Sequence, residues 1–101
     1  MTRKLERIRA VAEARPDDPF VWYSLAMEER KSAPDGALHT FERVRNRFPD
    51  YVPAYYQQAT LLIERQQLER ARIIVLEGIE AARRARDAHA ESELTSLLGT
   101  L

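Results

Sequence analysis

The chain contains no cysteine and only three glycines among its 101 residues. Without cysteine it forms no disulfide and offers no thiolate nucleophile and no Cys-ligated zinc or iron–sulfur site. With so few glycines, the sequence has no Gly-rich loop that could bind a phosphate group. The sequence also has no Ser/His/Asp arrangement and no isolated carboxylate pair that would indicate another type of catalytic site. We therefore expect a protein that is not an enzyme and needs no cofactor. His39 and His89 lie far apart, without further ligands at a metal spacing, so we expect no metal site either.

The sequence also lacks net charge, because 16 Lys and Arg balance 16 Asp and Glu. Dedicated nucleic-acid and membrane-surface binders carry a basic excess, so both classes are disfavoured. No stretch approaches the ~20 apolar residues of a membrane span. The first residues are charged throughout and lack the apolar run of a secretory signal. We expect a cytoplasmic protein with a single domain over residues 1–101.

Prolines divide the chain into helix-length pieces, with Pro19, Pro34 and Pro53 suited to first helical turns. Thr2 and Asp87 are predicted to cap the first and last helices. The pattern predicts six helices: about 3–15, from 19 to 32 or 33, from 34 to about 48, from 53, about 67–86 and about 88–98.

Two stretches repeat each other at an offset of 34 residues. This period is typical of a helix-turn-helix solenoid, in which each unit buries its apolar face against a neighbour. Residues 5–17 also match 38–50 at an offset of 33, so the first helix is the second half of a unit. The predicted architecture is a half-repeat helix (3–15), repeat 1 (19–51), repeat 2 (52–86) and a capping helix (88–98). The 34-residue matches are Pro19 with Pro53, Trp22 with Tyr56, Ala37 with Ala71, and Phe41 with Val75.

Each unit carries an aromatic residue and then small residues at the predicted helix crossings. Ala26 is expected to lie against Ala37, and Thr60 against Ala71, where a bulky side chain would overpack the crossing. The predicted inward faces are Trp22, Leu25, Ala26 and Glu29 in one unit and Tyr56, Ala59, Thr60 and Ile63 in the next.

These residues resemble the tetratricopeptide repeat, and the chain is similar to short stand-alone bacterial proteins of that family. The first unit matches through Trp22, Leu25, Ala26, Ala37, Phe41, Val44 and Pro49, and the second more loosely through Tyr56, Ala59, Thr60, Ala71, Val75 and Gly78. The resemblance implies an all-α solenoid of about six antiparallel helices and a general role in protein binding. The step from Trp22 to Ala37 is one residue shorter than the family pattern.

A family member would present the first helix of each unit along its concave side. There Phe20, Tyr23 and Met27 form a second apolar stripe, suited to holding a peptide or a partner helix. The alternative is that stacking of the second unit covers this stripe. The corresponding positions of the second unit are read as Ala54, Gln57 and Leu61. The predicted partner-binding residues are Phe20, Tyr23, Met27, Arg30, Gln57, Leu61 and Glu64, with Arg30, Gln57 and Glu64 orienting polar groups of the partner. Arg30 and Glu64 are alternatively solvated helix ends.

The fifth helix is apolar over more than half its circumference because it carries Ile73, Ile74 and Leu76 besides its regular stripe. We expect the closing helix to cover it through Leu94, Leu97 and Leu98. A homodimer through Ile73, Leu76 and the same leucines is the alternative, and it would make the chain a self-associating structural module without a separate ligand.

Arginines near the ends of two helices suggest a third and more distant interpretation, an RNA-associated factor. Interleaved acidic residues and the missing aromatic stacking platform disfavour nucleic-acid binding. Favourable interaction with the helix dipole accounts for these cations. They are Arg43, Arg45, Arg47, Arg83, Arg84 and Arg86.

Overall fold

The computed structural model describes residues 3–101, and these residues form six α-helices. The predicted cap at Thr2 lies outside this range. The helices begin and end within about two residues of the positions predicted from the proline spacing. They are α1 (Arg3–Ala14), α2 (Pro19–Ser32), α3 (Pro34–Arg47), α4 (Pro53–Glu64), α5 (Leu68–Arg84) and α6 (Ala88–Leu98).

Proline and aspartate fix where the helices start. Pro19, Pro34 and Pro53 each occupy the first turn of a helix, where a missing N–H costs nothing. The Asp18 carboxylate accepts a hydrogen bond from the Phe20 N–H at 3.0 Å. Asp87 accepts one from the Ala90 N–H at 3.0 Å, which confirms it as the cap of α6.

Consecutive helices pack against each other to form two layers. α2 packs on α3 and α4 on α5, as the two helices of each repeat, while α1 packs on α2 and α3 on α4 between repeats. α2 also touches α4, and α6 packs on α5. The helices α2, α4 and α6 therefore form one layer, which we call the A layer, and α1, α3 and α5 form the other. This is the predicted solenoid of a half repeat, two repeats and a closing helix.

The repeat register of α4 differs by one residue from the predicted one. Tyr55, only 4% exposed, takes the buried position of Trp22, while Tyr56 is half-buried. The Trp22 indole N–H donates to the Pro16 carbonyl at 3.2 Å, and the Tyr55 hydroxyl donates to the Pro49 carbonyl at 2.6 Å. Both pairs span six residues, so the offset here is 33, as it is from α1 to α3.

This shift corrects part of the predicted inward face of the second unit. Ala59 is buried as predicted, but Thr60 and Ile63 are half-buried, and Ala59 instead of Thr60 is the small residue of the core. The extra residue lies in the turn between α4 and α5, where Gln66 adopts a left-handed conformation with φ of 61°. The buried set of α4 is Ala54, Tyr55, Gln58, Ala59, Leu61 and Leu62.

Gly78 lies where three helices meet. A methyl group at this position would come within 2.7 Å of the Tyr55 Cβ on α4 and 3.2 Å of the Leu94 Cδ1 on α6. Real Cβ atoms essentially never come as close as 2.7 Å, and 3.2 Å is a tight contact, so the absence of a side chain allows α5 to approach both neighbours.

Candidate functional site

A groove runs along the A layer and encloses about 280 Å³. α2, the start of α4 and the first turns of α6 contribute its walls, because the solenoid places these three helices side by side. We call it the helix-A groove. Its lining residues are Tyr23, Val52, Pro53, Tyr56, Gln57, Asp87, His89, Ala90, Glu93 and Leu94.

The predicted apolar stripe of α2 is only partly covered by stacking. Phe20 is 61% exposed, whereas Tyr23 and Met27 are half-buried and pack against the core. The Tyr23 ring lies 6.2 Å from the Phe41 ring, edge to face, and 5.5 Å from the Tyr51 ring. Aromatic pairs in this geometry stabilise one another, so Tyr23 reaches the groove as a rigid wall.

Burial raises the pKa of the Tyr23 hydroxyl, and its hydrogen bond with the Gln57 side chain and the positive charge of Arg30 oppose that shift. Tyr23 therefore stays a neutral phenol at physiological pH. A neutral hydroxyl can both donate and accept a hydrogen bond at the groove wall.

Gln57 and Glu64 of the second repeat, which were predicted to orient a partner, instead accept hydrogen bonds from Arg30 of the first, which was predicted to do the same. Arg30 Nη1 donates to the Gln57 carbonyl at 3.2 Å, to Gln57 Oε1 at 3.0 Å and to Thr60 Oγ1 at 3.0 Å. Its Nη2 donates to Glu64 Oε2 at 2.5 Å. The guanidinium thus joins α2 to α4, and Gln57 is the member of this set that lines the groove.

Leu61 must be removed from the predicted binding residues. It is 2% exposed and belongs to the core, as does Ala54. The register of 33 explains the error, because it matches Phe20, Tyr23 and Met27 with Pro53, Tyr56 and Thr60. Pro53 and Tyr56 both line the groove, which the sequence reading missed.

The wall contributed by α6 was also missed, and it is acidic. Asp87 and Glu93 line it, together with His89, whose Nε2 lies 3.2 Å from Glu93 Oε1. The acidic composition of the last segment could have indicated this wall. α6 lies in the A layer as a further first helix of the stack, although it was expected only to close the stack.

The apolar residues of α5 and α6 divide into covered and uncovered groups. Leu94 is fully buried, and Leu97 and Leu98 are half-buried against the core, so the closing helix does pack on α5. Ile73 and Leu76 nevertheless stay 56% and 48% exposed, and α6 does not cover them. Ile74, in contrast, is buried.

Five of the six arginines considered for nucleic-acid binding have side-chain partners within the chain. Arg43 lies 4.6 Å over the Trp22 ring, and Arg45 is buried and donates to Gln58 and Glu77. Arg47 pairs with Asp17, Arg83 with Glu80 and Glu91, and Arg84 with Asp50. Little of their charge remains for a phosphate backbone.

Within residues 3–101 no three His, Cys, Asp or Glu side chains are grouped to hold a metal ion. Over the same residues, no helix is both long and apolar enough to cross a bilayer.

Two layers of paired helices with a groove along one of them define a helical-repeat scaffold. A tetratricopeptide repeat domain protein from Salinibacter ruber, solved by NMR, is 34% identical with a TM-score of 0.80, over 84% of this chain and 87% of that chain. A crystal structure of the tetratricopeptide repeat domain protein from the same organism gives 33% identity and a TM-score of 0.76, over 83% of this chain and 94% of that chain. No protein-family model and no curated protein matches the sequence. The chain belongs to the tetratricopeptide repeat family, whose fold is in general a protein-interaction scaffold and typically not an enzyme.

Proposed function

We propose that this protein is a non-enzymatic adaptor that holds a peptide or a partner helix in the helix-A groove. The observation that supports this is the groove itself, which has an apolar floor of Val52 and Leu94 between the half-buried rings of Tyr23 and Tyr56. Tyrosine supplies a large, rigid contact at low conformational-entropy cost, and aromatic residues are enriched where proteins bind each other.

The size of the groove sets what it accommodates. At about 280 Å³ it lies near the lower limit of ligand pockets, enough for one or two side chains. The partner therefore binds as a segment that inserts anchor residues. Phe20, exposed near the start of α2, extends the apolar surface beyond the groove.

The test is selection of peptides from a random library displayed on phage, followed by titration of the enriched peptides. Tyr56→Ala removes one wall of the groove and should weaken their binding about fivefold or more, as expected for an aromatic anchor. Ile73→Ala truncates an exposed apolar residue on the opposite layer and serves as the matched control. Circular dichroism confirms that both variants are folded. Peptides that bind both variants equally, or a library that yields no binder, would contradict the proposal.

Self-association is the second candidate function, and the exposure of Ile73 and Leu76 favours it. Because these residues are three apart on α5, they are neighbours on one helix face. Sedimentation velocity over a wide concentration range tests it. A species that stays monomeric at every concentration removes this candidate.

A further inference from the structure

The helix-A groove carries an uneven charge. Two of its lining side chains, Asp87 and Glu93, are carboxylates, and none is lysine or arginine. In the chain as a whole the two signs balance, at 16 each. Glu91, close by on α6, accepts a hydrogen bond from Arg83 Nε at 3.0 Å, so its charge is compensated. The lining of the groove therefore has an excess of negative charge, whereas the two signs balance over the whole chain.

Both groove carboxylates have acceptor capacity left. Asp87 accepts the Ala90 N–H, and the ion-pair partner of Glu93 among residues 3–101 is His89. The His89 side chain is largely exposed, and an imidazole carries a full positive charge only when it is protonated. A carboxylate offers about four lone-pair directions, so each group can accept a further donor from a bound segment.

The facing wall also favours a cation. Tyr23 and Tyr56 line it, and the ring of Tyr51 packs on Tyr23. The face of a phenol ring attracts an ammonium or guanidinium group within about 6 Å. Burial raises the pKa of Tyr51, and the nearby Tyr23 and the negative charge of Asp18 add to that shift. The Asp18 carboxylate thus contributes negative potential next to Tyr51, while the positive charge of Arg30 near Tyr23 is paired with Glu64.

We propose that the groove selects a peptide segment in which a lysine or an arginine adjoins an apolar residue. This inference rests on the proposed function, because it names the occupant of the same groove. The apolar side chain contacts Val52, Pro53 and Leu94, and the cation lies between the α6 carboxylates and the tyrosine rings. An acidic segment would meet Asp87 and Glu93 without a compensating cation and is rejected.

Three short peptides that share the frame Ala-Leu-X-Leu-Ala test this selectivity, with lysine, glutamine or glutamate at X and both ends blocked. Binding is followed by NMR through the backbone amide signals of Tyr56, Ala90 and Glu93. At low ionic strength the lysine peptide should bind about fivefold tighter than the glutamine peptide, since one partly exposed ion pair contributes up to about 1 kcal/mol. The glutamate peptide should bind most weakly.

Glu93→Gln keeps the shape of the side chain and removes its charge, so it should reduce the preference for lysine over glutamine to near one. Glu42→Gln removes an exposed carboxylate of α3, outside the groove, and should leave the preference unchanged. Equal binding of all three peptides at the groove, or a preference that survives Glu93→Gln, overturns the charge selectivity and leaves the groove as a binding site. If neither these peptides nor any peptide selected from the library moves the groove signals, the proposed function fails as well.

Discussion

The first helices of the two repeats, α2 and α4, which we call helix A, bury the same number of polar side chains but place them differently. At equivalent positions the first repeat has Leu25 and Glu29, and the second has Gln58 and Leu62. All four are buried. Each repeat thus combines one leucine with one polar residue, in opposite order along the helix.

The partners of the buried polar residues follow one rule. Glu29 Oε2 lies 3.4 Å from Arg9 Nη2 on α1, and Gln58 Oε1 accepts from Arg45 Nε on α3. In both repeats, the polar residue of helix A therefore binds an arginine of the preceding helix of the other layer. Glu29 additionally accepts the Thr40 hydroxyl at 2.5 Å, within its own repeat. Because a buried polar group must be hydrogen-bonded, these pairs fix how one repeat sits on the next.

The largest expected effect comes from the crossing at Gly78, where the first repeat has Val44. Gly78→Ala should lower the free energy of unfolding by about 2–3 kcal/mol, because the added methyl group overpacks the contact with Tyr55 and Leu94. Urea unfolding measures the change. Gly99→Ala, at the end of α6 with only carbonyl oxygens 3.4 and 3.8 Å away, is the control and should change stability by less than about 0.5 kcal/mol. If Gly78→Ala is as stable as the wild type, the helices of the second repeat can move apart at this crossing, as far as the side chain of Val44 requires in the first repeat.

A smaller effect is expected from making the two polar patterns alike. Gln58→Leu gives the second repeat the leucine of the first and should cost about 1–2 kcal/mol, since buried Arg45 loses an acceptor. Adding Arg45→Met should recover part of the loss, because the unsatisfied cation is then removed. A double-mutant cycle on the free energy of unfolding separates these contributions. Strictly additive single changes would mean that the bond of Arg45 with Glu77 is sufficient by itself.

The smallest effect concerns the turn that holds the additional residue of the second repeat. Gln66→Gly should stabilise the protein by about 0.5–1 kcal/mol, because glycine adopts the positive φ of 61° without strain. The control is Gln67→Gly, next to it but at φ of −99°, which should give no gain. Thermal unfolding of the three proteins provides the comparison, and equal midpoints for both glycine variants would mean that the left-handed turn is not strained.

Much of the fold follows from the sequence because prolines, capping aspartates and small core residues act locally. Pro19, Pro34, Pro53 and Asp87 mark helix starts with little dependence on the rest of the chain. The sequence does not fix the register of α4, because Tyr55 and Tyr56 are adjacent tyrosines and either can match Trp22. The pair Pro16-Asp17 and Pro49-Asp50, at an offset of 33, was the signal that the register continues into α4.

The candidate site was less predictable than the fold because it depends on which helices become neighbours. Tyr23 and Gln57 were identified from helix geometry and do line the groove. His89 and Glu93 come from a helix that was expected only to close the stack, and no local pattern connects them to α2. Leu61 was misplaced since the shift of one residue rotates α4 by about 100°.

Trp22 and Tyr55, which donate hydrogen bonds to the Pro16 and Pro49 carbonyls, also mark where the chain can be divided into repeats. Residues 17–49 begin at the aspartate of one Pro-Asp pair and end at the proline of the next, so joining two copies recreates a Pro-Asp pair. Each junction is followed by an aromatic donor six residues after its proline. The segment is therefore a 33-residue unit whose two ends can be joined to each other. Inserting further copies between Pro49 and Asp50 would lengthen the solenoid, and with it the groove. The contacts between the two helices within each existing repeat would not change.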